Sequence, residues 1–313
     1  MAYLINRILS VLLTLFLISV ITFVVTNILP GDVAMMIMGT QSNPEALAGL
    51  RESLGLNDPL VVQYGRWMGG LLTGDWGRSL VFKEAIGPLI AQKVVASSVI
   101  VVMSMTIALA CAIPLGVWAA IHRDRWQDGT ASTSALIGVS LPDFFWGIML
   151  ILLFARWLGW FPSSGFIHPA DDLLGAMRHA FLPSLALGLG LMAHLTRMTR
   201  STMIGILGQE FIRVARAKGL PEREVVWSYG LRNAIGPVMT VAGLQVGYLF
   251  GSIIVVESLF NYTGMGWLTY QALLNRDIPL IQSTVFVIAA VVMLTNLFVD
   301  LLYVLIDPRI RLN

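Results

Sequence analysis

Six stretches of the chain, at residues 8–31, 94–121, 129–155, 179–196, 233–256 and 278–299, contain no Asp, Glu, Lys or Arg apart from Asp143. A helix crosses roughly 30 Å of hydrocarbon in about 20 residues, because its backbone polar groups bond within the segment. The run at 179–196 is the shortest of the six. The pattern predicts an all-α integral membrane protein with six transmembrane helices and both termini on one side. A composition that is 57% hydrophobic and 12% charged, with a mean hydropathy of +0.78, excludes an ordinary soluble domain.

Basic residues set the orientation, since Lys and Arg in short loops favour the cytoplasm. An N-in, C-in arrangement places twelve of the 20 basic residues inside, among them Arg123, Arg125, Arg197, Arg200, Arg213, Arg216 and Lys218. Five of the other eight lie in the long 32–93 segment, where the rule counts least, leaving Arg156, Arg178 and Arg276 in short outer loops. The net charge of +2 is therefore a signal of topology and gives no support to nucleic-acid binding. The single cysteine, Cys111, allows no disulfide within the chain, and His122, His168, His179 and His194 have no metal-ligand spacing with it or with one another. The first run is too long for a secretory signal core and lacks a small-x-small cleavage site before Asn27-Ile28-Leu29-Pro30, so it reads as an uncleaved span.

One polar, basic island interrupts this pattern at residues 210–237, EFIRVARAKGLPEREVVWSYGLRNAIGP. Leu207, Phe211, Val214 and Ala215 recur at helical spacing and leave Arg213 and Arg216 on the other side, which predicts a short amphipathic helix. Gly219 ends it. Pro221 suits the first position of a second short helix, with Glu222 and Glu224 near its positive end.

ARAKGL at 215–220 followed by LRNAIGPV at 231–238 resembles the EAA loop of binding-protein-dependent ABC importer permeases, in the form found in the oligopeptide/dipeptide (peptide/nickel) permease family. The general motif is Glu-Ala-Ala, three residues, then Gly; here Arg213-Val214-Ala215 and Gly219 stand in its place, so the last alanine and the glycine agree. RILSVLLTLFLISVITFVVTNILPGD at 7–32, GLNDPLVVQYGRWMGGLLTGDWGRSL at 55–80, ESLFNYTGMGWL at 257–268 and the tail YVLIDPRIRLN at 303–313 also resemble that family, in the family's order. The resemblance implies a type I ABC importer (MetI-like) permease fold. It implies an ATPase-coupling loop formed by Glu210, Phe211, Val214, Ala215, Arg216, Ala217, Lys218, Gly219 and Leu220. The implied partners are a second homologous permease, ABC ATPase subunits that bind ATP and Mg²⁺, an extracytoplasmic substrate-binding protein and the lipid bilayer. No cofactor or metal is expected on this chain.

Residues 1–93 read as the first span plus an external helical segment, and 94–313 as a five-helix permease core with the coupling loop at about 200–235. In the external segment, Asn43-Pro44-Glu45 and Asp58-Pro59 each signal a helix start, the first helix ending near Gly55. The segment reads either as a scaffold bracing the first span or as a docking surface for an external partner. Pro114 and Gly116 permit a kink in the second span.

Asp143, in Ser140-Leu141-Pro142-Asp143-Phe144, is the one carboxylate deep in a run, and such a group faces a bundle interior or a water-filled cavity. It reads as a pathway residue or as a helix-locking one. His194 reads as a packing residue. Gly243, Gly247 and Gly251, four residues apart on one helix face, allow close packing or line a pore. Glu257 follows at the outer end of that helix, and by the resemblance the connector after it is a short helical gate element. Asn296 and Asp300 share a face near the inner end of the last span.

The only lysines, Lys83, Lys93 and Lys218, follow Phe, Gln and Ala, so the chain lacks the Gly-Lys-Ser/Thr core of a phosphate-binding loop. ATP-driven transport then needs a separate ATPase, and the 210–237 loop is the large inner surface able to meet it. A self-sufficient secondary carrier is the alternative within transport, although no repeat is evident. An intramembrane serine protease would rest on Gly138-Val139-Ser140 and His194.

Overall fold

The computed structural model describes residues 2–28, 34–35, 43–53 and 55–306. Among these the α-helices of at least two turns are α1 (Ala2–Ile28), α2 (Pro44–Ser53), α3 (Leu60–Thr73), α4 (Ile86–Ile121), α5 (Trp126–Ser140), α6 (Asp143–Leu150), α7 (Leu173–Leu207), α8 (Glu210–Ala217), α9 (Arg232–Leu259), α10 (Met265–Leu274) and α11 (Ile278–Ile306), and Ile151–Trp157 extends α6 as a π-helix. The described residues contain no strand, only an isolated bridge between Arg78 and Ala85. The Pro30-Gly31-Asp32 stop, the side chain of Asp300 and the Asp307-Pro308-Arg309 tail lie outside the described residues.

Among the described residues, five helical stretches are long and apolar enough to cross a membrane: Ile5–Ile28, Ile86–Ile121, Leu173–Leu207, Glu222–Leu259 and Ile278–Val299. The third expected span is not straight. Trp126–Ser140 and Asp143–Trp157 meet at a 101° bend, and they make a sixth span only if the bent pair counts as one. Pro142 is the cause: it has no N–H to donate, and its ring drives Leu141 to φ −102°, ψ 135°, outside helical space. In the second span, by contrast, the helix continues through Pro114.

The contacts divide the chain into two compact units. One comprises Met1–Ser97 with Thr263–Leu294. Its core sets Ile86, Leu89 and Ile90 of α4 against Met265, Leu268 and Ala272 of α10 and Leu280 and Ile281 of α11. The buried Ser79, Ser97 and Asp277 side chains are matched within it. Asp277 accepts from the Ser79 hydroxyl at 2.5 Å, from the Val81 N–H at 3.1 Å and from the Leu280 N–H at 3.3 Å, so one carboxylate caps α11 and holds the 79–81 turn. The Ser97 hydroxyl accepts from the first N–H of α10 at 2.7 Å. The expected starts of α2 and α3 are present: Asn43 Oδ1 accepts from the Glu45 N–H at 3.1 Å, and Pro59 directly precedes α3. Asp58 makes no cap and instead holds Arg66 at 2.6 Å.

The other unit comprises Ser98–Tyr262 with Thr295–Asn313. Its centre is α7, which packs against α9, α5 and α6. Small residues let these helices approach. A Cβ on Gly116 would lie 2.9 Å from the Thr196 carbonyl, and one on Gly138 would lie 3.0 Å from the Ala193 Cβ. Asn296 does not find the partner its position suggested: its Oδ1 is buried without a hydrogen bond among the described residues.

Candidate functional site

The polar island folds as an elbow. Gly219 takes φ +77°, its N–H bonds the Arg216 carbonyl at 2.9 Å, and the Leu220 N–H bonds the Ala215 carbonyl at 3.4 Å. These two bonds form a Schellman ending, which requires a left-handed residue just past the helix and therefore favours glycine. Leu220 folds back toward α8 and packs with Leu207 around buried Ile212, Ala215 and Val225. The Arg216 guanidinium closes the elbow with a fork onto Glu222, at 3.1 and 2.6 Å, and Arg213 pairs with Glu210 at 3.4 Å.

The buried face of α8 differs from the expected one. Ile212 and Ala215 face inward, whereas Phe211 is 39% and Val214 47% exposed. A helix of two turns offers two apolar stripes of similar quality, and the turn decides between them: the return of Leu220 across Ala215 buries the Ile212–Ala215 side. Phe211, Val214, Arg213, Ala217, Lys218 and Gly219 are consequently all exposed. The second helix is also longer than expected. Pro221 stands before Glu222–Glu224, the chain continues through a π-helical stretch at Val225–Leu231, and this runs directly into α9 as one stretch, Glu222–Leu259.

Asp143 is the first residue of α6, beside the positive end of that helix. The Tyr248 hydroxyl of α9 donates to its Oδ2 at 3.3 Å, and its Oδ1 lies 3.2 Å from where Gly190 of α7 would carry a Cβ. Asp143 thus joins three helices at the bend. Gly243, Gly247 and Gly251 do not share one environment. A Cβ on Gly243 would collide with the Val299 side chain, Gly247 is half-buried, and a Cβ on Gly251 would meet nothing within 4 Å. Four residues turn a helix by about 40° beyond one full turn, so Gly251 has rotated roughly 80° from Gly243. Gly243→Ala is accordingly expected to destabilise the subunit by about 1–3 kcal/mol, and Gly251→Ala to leave it unchanged. Unfolding of both variants in detergent checks this, as does recovery of Gly243→Ala by Val299→Ala.

Glu257 is fully buried. It lies near Tyr262, whose hydroxyl is buried with no hydrogen bond among the described residues; burial and the Glu257 charge push that phenol well above its ordinary range. Tyr262 also stacks edge-on with Phe166 at 5.1 Å, and the Gly165 N–H bonds the Phe260 carbonyl at 3.1 Å. The protease residues are bonded elsewhere: the Ser140 hydroxyl donates to the Leu136 carbonyl at 2.7 Å, and the His194 ring lies 3.3 Å from Arg197.

Two features were not anticipated from the sequence. One is Tyr248 on Asp143. The other is a buried ion pair in which the Arg200 guanidinium of α7 holds both carboxylate oxygens of Asp128 in α5, with the Asp124 N–H at 3.1 Å on the same carboxylate. The sequence signal for it was slight: Asp128 directly precedes one charge-free run, and Arg200 lies four residues after another.

The sequence profile described as the inner membrane component of binding-protein-dependent transport systems matches residues 112–312, and the N-terminal profile of such membrane components matches residues 1–110. The chain belongs to this permease family. It is a multi-pass transport subunit of the bacterial inner membrane type, with the architecture of an ABC importer permease. The permease is 36% identical over 310 residues to a putative peptide transport system permease protein of Brucella abortus, covering 99% of both chains. It is 37% identical over 331 residues to a dipeptide transport system permease protein of Alkalihalophilus pseudofirmus, again covering 99% of each. A glutathione transport system permease protein of Salmonella paratyphi A is 38% identical over 309 residues, which is 99% of the permease and 98% of that protein.

Proposed function

We propose that the chain is oriented N-in and C-in and forms half of the translocation pathway of an ATP-driven importer for di- or oligopeptides or similar small solutes. An external binding protein delivers the solute, a second homologous permease completes the route, and partner ATPase subunits bind ATP and Mg²⁺. In this reading residues 1–93 form the first span with its external segment, and 94–313 form the core that carries the coupling loop. The carrying observation is the elbow: Phe211 and Val214 are exposed on the helix that Gly219 ends, and beyond its chain neighbours no described atom lies within 4 Å of a Cβ at Gly219. Such a surface suits a groove on another protein, and a chain without a phosphate loop needs that protein. The names of the relatives support a peptide-like substrate.

The proposed route runs along α9. Leu244, Tyr248, Gly251 and Val255 are exposed on one side of that helix, and Tyr248 carries Asp143 with it. A carboxylate and a phenol on a face within the membrane are costly against lipid, so this side suits a water-filled path shared with the second permease. Gly247 borders it, Gly243 serves packing, and Glu257 with Tyr262 supports the outer connector as a gate. Asp143→Asn is expected to reduce uptake while assembly stays intact; wild-type uptake across substrates and pH would remove Asp143 from the route.

The reading is tested by purifying the untagged complex from membranes and identifying its partners by mass spectrometry. An ATPase, a second permease and a binding protein are expected. The isolated chain should neither bind nor hydrolyse ATP, and stoichiometric ATP binding by it would overturn the partner arrangement.

A further inference from the structure

The external segment contains α3, and the contacts of α3 lie at an unexpected depth. The Tyr64 and Ser19 hydroxyls share a hydrogen bond of 2.7 Å, and the rings of Tyr64 and Trp67 stand 5.4 and 6.0 Å from that of Phe23. Trp67 also meets Phe286 edge-on at 6.2 Å. Ser19 precedes Ile28, the end of the first apolar span, by nine residues, and Phe286 follows Ile278, the start of the last one, by eight. At 1.5 Å per helical residue, both separations reach about 12–14 Å into the membrane. The two helices give the same level independently, and the Gln282 amide donating to the Thr26 hydroxyl at 2.8 Å fixes their common register. Half of a hydrocarbon core is roughly 15 Å thick, so Tyr64 and Trp67 meet these spans inside one leaflet.

The remaining faces of α3 sort by polarity in the way that level demands. Val61, Gly65, Gly69 and Leu72 fall within an arc of roughly 80° and all are exposed, Val61 at 81% and Leu72 at 82%. No polar side chain lies within that arc. Arg66, the one charged residue of α3, is neutralised by Asp58 at 2.6 Å. It faces, with Gln63, a cavity of about 650 Å³ that Asn27, Arg51, Asn57 and Trp76 also line. Phe16, Leu17, Ile21, Val24 and Val25 of α1 are likewise apolar and exposed.

We propose that α3 is a partly inserted helix of the membrane leaflet at the Ile28 end, with its Val61–Gly65–Gly69–Leu72 face seated against phospholipid acyl chains and its Gln63–Arg66 side toward the headgroups. Under the orientation proposed above that leaflet is the outer one; the insertion itself does not depend on the orientation or on the substrate. An apolar face of this kind gains by leaving water, whereas in an aqueous external domain it would stand as an uncovered patch. The first span and α3 then form one lipid-facing surface, and α3 sets the first span against the membrane from the side.

Collision accessibility of nitroxide labels tests this in the assembled transporter, reconstituted in phospholipid vesicles in a Cys111→Ala background. Labels at Val61→Cys and Leu72→Cys are expected to show an oxygen-to-nickel-chelate ratio several-fold above that at Glu52→Cys. A ratio at both sites equal to that at Glu52→Cys would overturn the insertion. Shielding of both sites from oxygen and nickel alike would overturn it too, because a protein partner would then cover the face. Either failure leaves ATP-driven uptake untouched, so the insertion and the transport reading fail separately.

Discussion

Gly219→Trp is expected to reach the membrane at normal level and to lose ATPase association or substrate-stimulated ATP hydrolysis. The prediction compares two substitutions at one backbone position. Gly219 has φ +77°, so any L-residue there strains the elbow by about 1 kcal/mol, and alanine would bring little else. A Cβ at Gly219 meets nothing within 4 Å, so the tryptophan side chain starts from open space. Gly219→Ala should therefore keep most transport, and the further loss in Gly219→Trp reports the surface of a partner. Full transport with a normally copurifying ATPase in Gly219→Trp would reduce Gly219 to turn chemistry alone.

Loss of the Arg200 side chain should give the largest fall in stability. Arg200 satisfies both oxygens of Asp128, which is 7% exposed, and Arg200→Met leaves that carboxylate buried with only the Asp124 N–H at 3.1 Å and the Ser132 hydroxyl at 3.4 Å. Breaking one side of a buried pair costs on the order of 3 kcal/mol or more, because the remaining charge has lost its water as well as its partner. Asp128→Ala should cost less, since Arg200 keeps 28% exposure and reaches solvent. The double variant Asp128→Leu with Arg200→Met should recover most of the loss, as apolar replacement of both partners is often near neutral. Tryptophan-fluorescence unfolding in detergent measures all three. A loss no greater than that of a surface pair in Arg200→Met would show that the pair does not bind α5 to α7.

The features legible in the sequence were those set by local chemistry. Charge-free length marked the membrane helices, because hydrocarbon tolerates little else, and Gly219 with Pro221 marked the elbow, because few residues can make that turn. The bend at Leu141-Pro142 was hidden because apolar length across residues 129–155 is the same whether the backbone is straight or turned through 101°. The inward face of α8 was misjudged because Phe211 and Val214 are as apolar as Ile212, and only the return of Leu220 distinguishes the two stripes. Asp128 with Arg200, and Asp143 with Tyr248, were illegible for a different reason: 72 and 105 residues separate the partners, and helix packing alone brings them together. Glycine spacing indicated that α9 packs closely at some point, but the collision with Val299 identifies Gly243 as that point.

Peptide uptake into proteoliposomes tests the central claim most directly. The complex copurified with this permease is reconstituted, the binding protein is supplied on the proposed outer face, and ATP is supplied on the proposed inner face. Uptake is predicted to require both additions and to persist without any ion gradient. Uptake by the isolated chain, driven by a proton or sodium gradient and indifferent to ATP, would contradict the account and make the protein a self-sufficient carrier.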